Sequence, residues 1–384
     1  MSKKNDYVDI SSSSQVKKIY KKKHSKGKGF RIATLVLSII MLFAGSGLIY
    51  YYTVLDSLNY KELDDSSSNS DTSDVSSSSS NSSLLSSTKV LNILLFGQDY
   101  NGGGDGYGRS DSMILLSLDN VNHKIKLTSF QRDTYVTIPG YGDAKINAAF
   151  QYGGVPLAIK TIEANFGIAV DKYATVDFDS FRKIVNILGG VDIELTLDEI
   201  KYINAQIDVN DQIGDTQFLD YDPSKETQVV HLDGYQALWY ARDRGEVALG
   251  GNPEYTFSGD DWDRTKRQRK FIETILNDLR EKASVTDLVK IVNEIGPLVT
   301  TNLKKSDITF LVQNIMTYIN YDMVEISIPI EGCWRYGTTD DGQSVIVVTD
   351  WEKTRMDLAS FIYEDAVVTS SQASQLTSSS SVNY

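Results

Sequence analysis

The chain has 384 residues, room for two or three domains at ~100–200 residues each. A formal charge of −13 argues against a general nucleic-acid binder, and a single cysteine, Cys333, excludes an intramolecular disulfide. The charge is uneven: residues 1–31 hold ten basic side chains against two acidic ones, a net +8, which leaves −21 on the remainder.

Directly after that basic segment (1–31) comes "IATLVLSIIMLFAGSGLIYYY", Ile32 to Tyr52, without a charge. A bilayer core needs ~20 apolar residues in one helix, so 32–54 reads as a single transmembrane helix. Tyr50, Tyr51 and Tyr52 stand where an interfacial aromatic belt would be. A cleaved signal peptide is the alternative; its apolar region is usually ~7–15 residues and ends at a small-residue site. The basic flank precedes the helix, which predicts a cytoplasmic N-terminus and an extracellular remainder, a cell-membrane protein of single-pass topology. Residues 55–88 are dominated by Ser, Asp and Asn and predict an unstructured linker, and the Ser-rich tail 367–384 reads the same way. An exported domain without disulfides points to a Gram-positive surface.

Between linker and tail, "VLNILLF", "SMILLSLD", "KIKLTSFQ" and "YVTIP" are short apolar runs bounded by turn residues, and predict strands. "PLAIKTIEANFG" has helical spacing and ends at Gly167; "DSFRKIVNILGG" predicts a helix capped by Asp179 and stopped at Gly189. "VDIEL" returns as a strand. "DGYQALWYA" and "DRTKRQRKFIETILNDLREKA" predict a short and a long helix, with more helix over about 286–320. Strands at "MVEISIPI" and "QSVIVVTD" and a helix at "WEKTRMDLASFIYED" follow. The interleaving predicts an α/β three-layer sandwich: a central mixed β-sheet with helices on both faces. It divides into a principal part, 89–285, and a C-terminal extension of the same domain, 286–366.

The informative polar residues lie at element ends. Asp99 follows the first strand, and Arg109 and Asp111 precede the second; Arg132 and Asp133 close the third; Arg242 and Arg244 end a short helix; Arg264, Arg267 and Gln268 ride the long one; Lys145 is a fifth place. At ~100° per residue, Arg264 and Gln268 share a helix face with Phe271 and Ile275, while Lys266 and Lys270 face away. An arginine aimed inward is either half of an internal ion pair or a ligand contact. Few neutralising carboxylates accompany these arginines in sequence. On that basis unliganded Arg264→Ala is expected to melt at or above the wild type. Arginine forks bind phosphate bidentately. Asp99 and Asp111 either make turns or, as oxygen donors, hold Mg²⁺ beside a substrate phosphate. The glycine-rich stretch between them lacks the Gly-Lys-Ser/Thr of a P-loop and leads into a strand, which disfavours nucleotide binding.

In order along 90–285, Gly97-Gln-Asp99, Arg109-Ser-Asp111, Arg132-Asp-Thr-Tyr135, Lys145-Ile-Asn147, "NILGGVDIEL", "LDGYQALWYAR" and Arg264-x-x-Arg267-Gln268 resemble the LytR-CpsA-Psr family. The resemblance implies a transferase that moves an anionic glycopolymer (teichoic acid or capsular polysaccharide) from undecaprenyl pyrophosphate to the C6 hydroxyl of N-acetylmuramic acid in peptidoglycan. Carried over by position, Asp99 and Asp111 would hold Mg²⁺. Arg109, Arg132, Arg242, Arg244, Arg264 and Gln268 would hold the pyrophosphate, Lys145 would line the same site, and an apolar tunnel would take the prenyl chain. The catalytic set on this reading is Asp99, Asp111, Arg132 and Arg264. Gln131 replaces a proline common before the arginine, and Arg269 replaces a second glutamine. No general base is evident; His231 reads as a surface residue. The competing readings are a non-enzymatic holder of lipid-linked polymer and, without a helix-turn-helix in an acidic chain, a transcriptional attenuator.

Overall fold

The computed structural model describes residues 59–63, 84–98, 108, 110–210, 216–282 and 291–366. The chain divides after Ser57, and all of these residues belong to the unit Leu58–Tyr384. The basic segment, the expected anchor, most of the linker and the tail lie outside the described residues, as do Asp99 and Arg109. Among the described residues no helix is long and apolar enough to cross a membrane.

In chain order the strands are β1 (Asn59–Tyr60), β2 (Val90–Gln98), β3 (Ser110–Asp119), β4 (Lys124–Phe130), β5 (Thr134–Ile138), β6 (Gly142–Lys145) and β7 (Lys172–Asp177). They continue with β8 (Val191–Thr196), β9 (Thr227–Leu232), β10 (Thr300–Thr301), β11 (Asp322–Ile328), β12 (Trp334–Thr338) and β13 (Ser344–Val348). The main sheet runs β1-β10-β7-β2-β3-β4-β11. It is mixed: β2–β3 and β3–β4 are antiparallel, β2–β7 and β4–β11 parallel. Both faces of its central strands are apolar, as a sheet covered on two sides requires. Leu94, Phe96, Met113 and Leu115 pack on one side with α1 (Ala148–Phe166) and α8 (Trp351–Tyr363). On the other side Leu95, Ile114, Leu116 and Leu118 meet Ile272 and Leu276 of α5 (Asp261–Lys282). A further cluster joins α2 (Phe178–Ile187), α3 (Leu197–Asn210) and α4 (Gly234–Arg242) to the β8–β9 hairpin.

Several expectations need correction. The strands form three sheets, not one: β12-β13-β5-β6 and β8-β9 stand apart from the seven-stranded sheet. The break follows Phe130, where the chain turns through Gln131–Asp133, so that Arg132 and Asp133 sit at a corner between two sheets. The helix expected over 286–320 is interrupted. Residues 291–295 are helical, a 3-10 turn containing Pro297 follows, then β10, and after it α6 (Lys305–Gln313) and α7 (Ile315–Tyr318). Asp177, not Asp179, caps α2, its side chain accepting from the Ser180 N–H at 2.7 Å. Both ends of the Ser-rich segment are ordered: β1 pairs with β10, and buried Leu85 joins the main core. β1 is exposed and held by its pairing with β10, while Leu63 and Leu85 are apolar residues that the serine-dominated average concealed. The helix stop at Gly167 is where it was expected; its φ of 75° suits glycine.

The C-terminal extension completes the sheets. β11 adds to β4, β12 and β13 build on β5, and Leu358 and Ile362 of α8 are fully buried.

Candidate functional site

A cavity of about 460 Å³ opens between the main sheet and helices α2, α4 and α5. Most of its wall is apolar: Leu95 and Ile114 from the sheet, Phe178, Phe181 and Ile184 from α2, Leu238 and Trp239 from α4, Phe271 and Ile272 from α5. One end is polar, with Asp111, Ser112, Arg242, Arg244, Glu246, Arg264 and Gln268. The helix wheel of α5 holds: Arg264 is buried and Gln268 faces the cavity, whereas Lys266 is exposed. Gln268 is fixed from both sides, donating to the Ala241 carbonyl at 3.1 Å and accepting from the Ser112 hydroxyl at 2.9 Å.

The arginines are not equally free. Arg264 donates to the Asp111 carbonyl at 2.7 Å and lies 2.9 Å from the Asp261 carboxylate. Arg132 bonds Asp111 Oδ1 at 2.9 Å and approaches the same Asp261 oxygen at 3.1 Å. Neither contact to Asp261 is aligned as a hydrogen bond, and both of its carboxylate oxygens are buried without one. Burial raises the Asp261 pKa against the pull of Arg264 and Arg132. Burial likewise lowers that of Arg264, which Asp261 only partly restores. Burial also opposes the charge on Arg132, but Asp261 and Asp111 more than offset it, and its pKa is raised. The two guanidinium groups stay charged at neutral pH, since an isolated guanidinium has a pKa far above 7.

Asp261 was not singled out from the sequence, and it corrects the expectation that carboxylates are scarce around Arg264. The signal was present: Asp261 lies three residues before Arg264, hence on the same helix face. Arg242 and Arg244 differ from the other two. Neither has an ion-pair partner among the described residues; Arg242 stacks on Phe178 and Trp239, 4.4 and 5.0 Å from the ring centroids. Arg244 is held at the rim by a crossing of two chain segments. A Cβ on Gly245 would stand 2.5 Å from the Gly259 nitrogen, and Gly245 has φ 71°, so only glycine fits.

Arg267 and Arg269 are structural. Arg267 is committed to Glu199 (2.8 Å) and Asp243 (3.2 Å). Arg269, at the position that departs from the family pattern, turns away to Ser129, Ser327 and Glu325 and ties α5 to the main sheet. Gln131 is fully buried and donates to the Thr265 hydroxyl at 3.0 Å. His231 pairs with Asp192 on the exposed β8–β9 hairpin, away from the cavity. Lys145 does not line the cavity; its ammonium lies 2.7 Å from Asp133, whose other oxygen is 3.6 Å from Arg132. The structure therefore brings together Asp111, Arg132, Arg242, Arg244, Arg264 and Gln268, with Lys145 one carboxylate further off.

This arrangement suits an amphiphile with an anionic head. The apolar wall can take a hydrocarbon chain, and the guanidinium groups without an ion-pair partner at one end can receive an anion. Residues 49–357 match the model of the LytR_cpsA_psr family. The chain belongs to the LytR-CpsA-Psr family. Among relatives in the family, the polyisoprenyl-teichoic acid--peptidoglycan teichoic acid transferase TagU of Oceanobacillus iheyensis is 28% identical over 352 residues, covering 89% of this chain and 96% of its own. TagV of Bacillus subtilis, which bears the same transferase name, is 30% identical over 220 residues, 56% of this chain and 50% of its own. A LytR-CpsA-Psr chain in a solved structure, TagT bound to LIIa-WTA, has a TM-score of 0.54 and 25% identity, covering 73% of this chain and 91% of that one. The mixed α/β fold with several sheets is thus that of the family.

Proposed function

We propose that the protein transfers an anionic glycopolymer from a polyprenyl pyrophosphate carrier to peptidoglycan, as a single-pass membrane protein with its catalytic domain outside the cell. The observation that carries this reading is the one-ended cavity, apolar along its length and closed by Arg242, Arg244 and Arg264. The prenyl chain would lie along Phe178, Phe181 and Phe271, and the pyrophosphate at the arginines. The names of TagU and TagV support the reaction class.

The chemistry is a phosphoryl transfer. The acceptor hydroxyl oxygen forms a bond to the sugar-bearing phosphorus, the bond to the bridging oxygen breaks, and undecaprenyl phosphate leaves. Negative charge grows on the phosphoryl and bridging oxygens, and fixed guanidinium groups stabilise it without reorganising. Asp261 acts through Arg132 and Arg264, lying within 3.1 Å of both and holding them side by side. Arg109, beside Asp111 in sequence, completes the set on the family pattern.

Magnesium fits the donors. Asp111 lines the cavity and gives one carboxylate oxygen to Arg132, while its other has no partner among the described residues. Asp111, with Asp99, would hold the ion, which supplies charge neutralisation to the phosphates. The acceptor proton departs to a carboxylate of this pair.

The test is incubation of the full chain in detergent with Mg²⁺, a lipid-pyrophosphate-linked glycan and peptidoglycan oligomers. A covalent polymer–peptidoglycan product with release of polyprenyl phosphate is expected. Tight lipid binding without product, under conditions where a known transferase turns over, would leave the non-enzymatic holder instead.

A further inference from the structure

A second cavity, about 560 Å³, lies on the smaller sheet, beside the arginine cluster and outside the apolar tunnel. Its floor is β5, β6 and β13, and its rim is the turn between β12 and β13. The lining includes the aromatic rings of Tyr135 and Tyr152 and the polar groups of Lys145, Asn147, Asp340 and Gln343. Asn147 decides what the groove is for. It is 4% exposed, lines the groove, and stands at the N-cap of α1, yet its side chain caps nothing. Its amide has no hydrogen-bond partner among the described residues, although its backbone N–H is bonded to the Arg132 carbonyl. The amide is therefore left to water or to a ligand in the groove.

The groove is joined to the reacting centre. Lys145 reaches Asp133 at 2.7 Å, Asp133 reaches Arg132 at 3.6 Å, and Arg132 reaches Asp111 at 2.9 Å. Lys145 is therefore already neutralised, while Asp340 and Asp341 add negative charge to the rim. An anionic polymer is repelled from such a groove. A neutral sugar strand is not: tyrosine faces pack on the apolar faces of pyranose rings, and amides pair with acetamido and hydroxyl groups. We propose that this groove is the acceptor subsite, binding an uncharged N-acetylated glycan strand through the Asn147 amide and the Tyr135 and Tyr152 rings. The proposal rests on the transferase reading above for the word acceptor, and on the groove alone for the glycan.

The test titrates the full chain, in detergent, with a soluble β-1,4-linked N-acetylglucosamine tetramer and separately with polyprenyl pyrophosphate. The wild type should bind both. Asn147→Ala and the surface variant Tyr152→Ala should each weaken tetramer binding about tenfold, the worth of one lost hydrogen bond or ring contact. Both should keep the wild-type melting temperature and lipid affinity, and should raise KM for the acceptor more than they lower kcat. Absent tetramer binding, or equal binding by wild type and both variants, would overturn the subsite. So would loss of affinity for the anionic polymer in its place. Failure of the wild type to bind polyprenyl pyrophosphate, by contrast, would remove the transferase reading while leaving an Asn147-dependent glycan groove standing.

Discussion

Single side chains at the arginine cluster serve both binding and stability. Arg264 is buried beside Asp261, so truncating it leaves that carboxylate with Arg132 alone. The expectation that Arg264→Ala would melt at or above the wild type does not survive this pair. Removing one partner of a buried pair is strongly destabilising, and with Arg132 remaining a loss of about 1–3 kcal/mol is expected. Calorimetry of the ligand-free protein should show a melting temperature several degrees lower, and transfer should fall by roughly ten- to a hundredfold. Lys266→Ala, a solvated charge, should stay within about ±0.5 kcal/mol and keep its activity; equal losses in the two variants would mean that helix disruption, not the site, is being measured. Asp243 offers a pH signature. Burial pushes its pKa up to about 6 even with Arg267 opposing. The unfolded value is ~3.9, so folding takes up a proton between these values. Its contribution to stability is complete below about pH 4 and is lost as pH rises through about 6. Melting curves of wild type and Asp243→Asn across pH 4–7 should diverge in that window, and parallel curves would place the titration elsewhere.

Among the elements, the join between β4 and α8 is the most specific. Lys126 on β4 is fully buried, 2.7 Å from fully buried Asp119, and donates to the Ile362 carbonyl of α8 at 3.0 Å. Burial penalises the Asp119 carboxylate, but Lys126, Asn122 and two backbone N–H groups outweigh it and its pKa is lowered. A depressed carboxylate stabilises the fold above its unfolded pKa and loses that contribution as pH falls below about 4. Lys126→Ala leaves Asp119 buried and unpaired, at a cost of about 3–5 kcal/mol, a large share of the ~5–15 kcal/mol typical of a domain. Limited proteolysis should then cut first near α8. A variant that resists protease as the wild type does would show that apolar packing by Leu358 and Ile362 alone secures the helix.

For the whole molecule, topology is the first question, and it rests on residues outside the described set. External protease on intact protoplasts should remove the chain after the proposed anchor and spare the segment around Lys3; a soluble form released by signal peptidase would exclude the anchor. What the sequence determined by itself was local or periodic: the α/β class, the inward face of the long helix, the stop at Gly167, and the ordered motifs that place the chain in its family. Backbone preference, helical period and residue identity are carried by neighbours a few positions apart, and so can be read in one dimension. Three sheets in place of one could not be read, because β5 leaves the main sheet only where Gln131 meets Thr265 on a helix 134 residues away. Nor could the split among the arginines. Arg264 and Arg267 are near neighbours on α5, yet the first borders a cavity and the second is spent on Glu199 and Asp243. Which carboxylate neutralises which guanidinium depends on approaches of 3 Å or so between segments far apart in the chain, and Coulomb energy in a partly buried site follows those distances alone. Tertiary structure decided them, and with them which charges remain free to meet an anion.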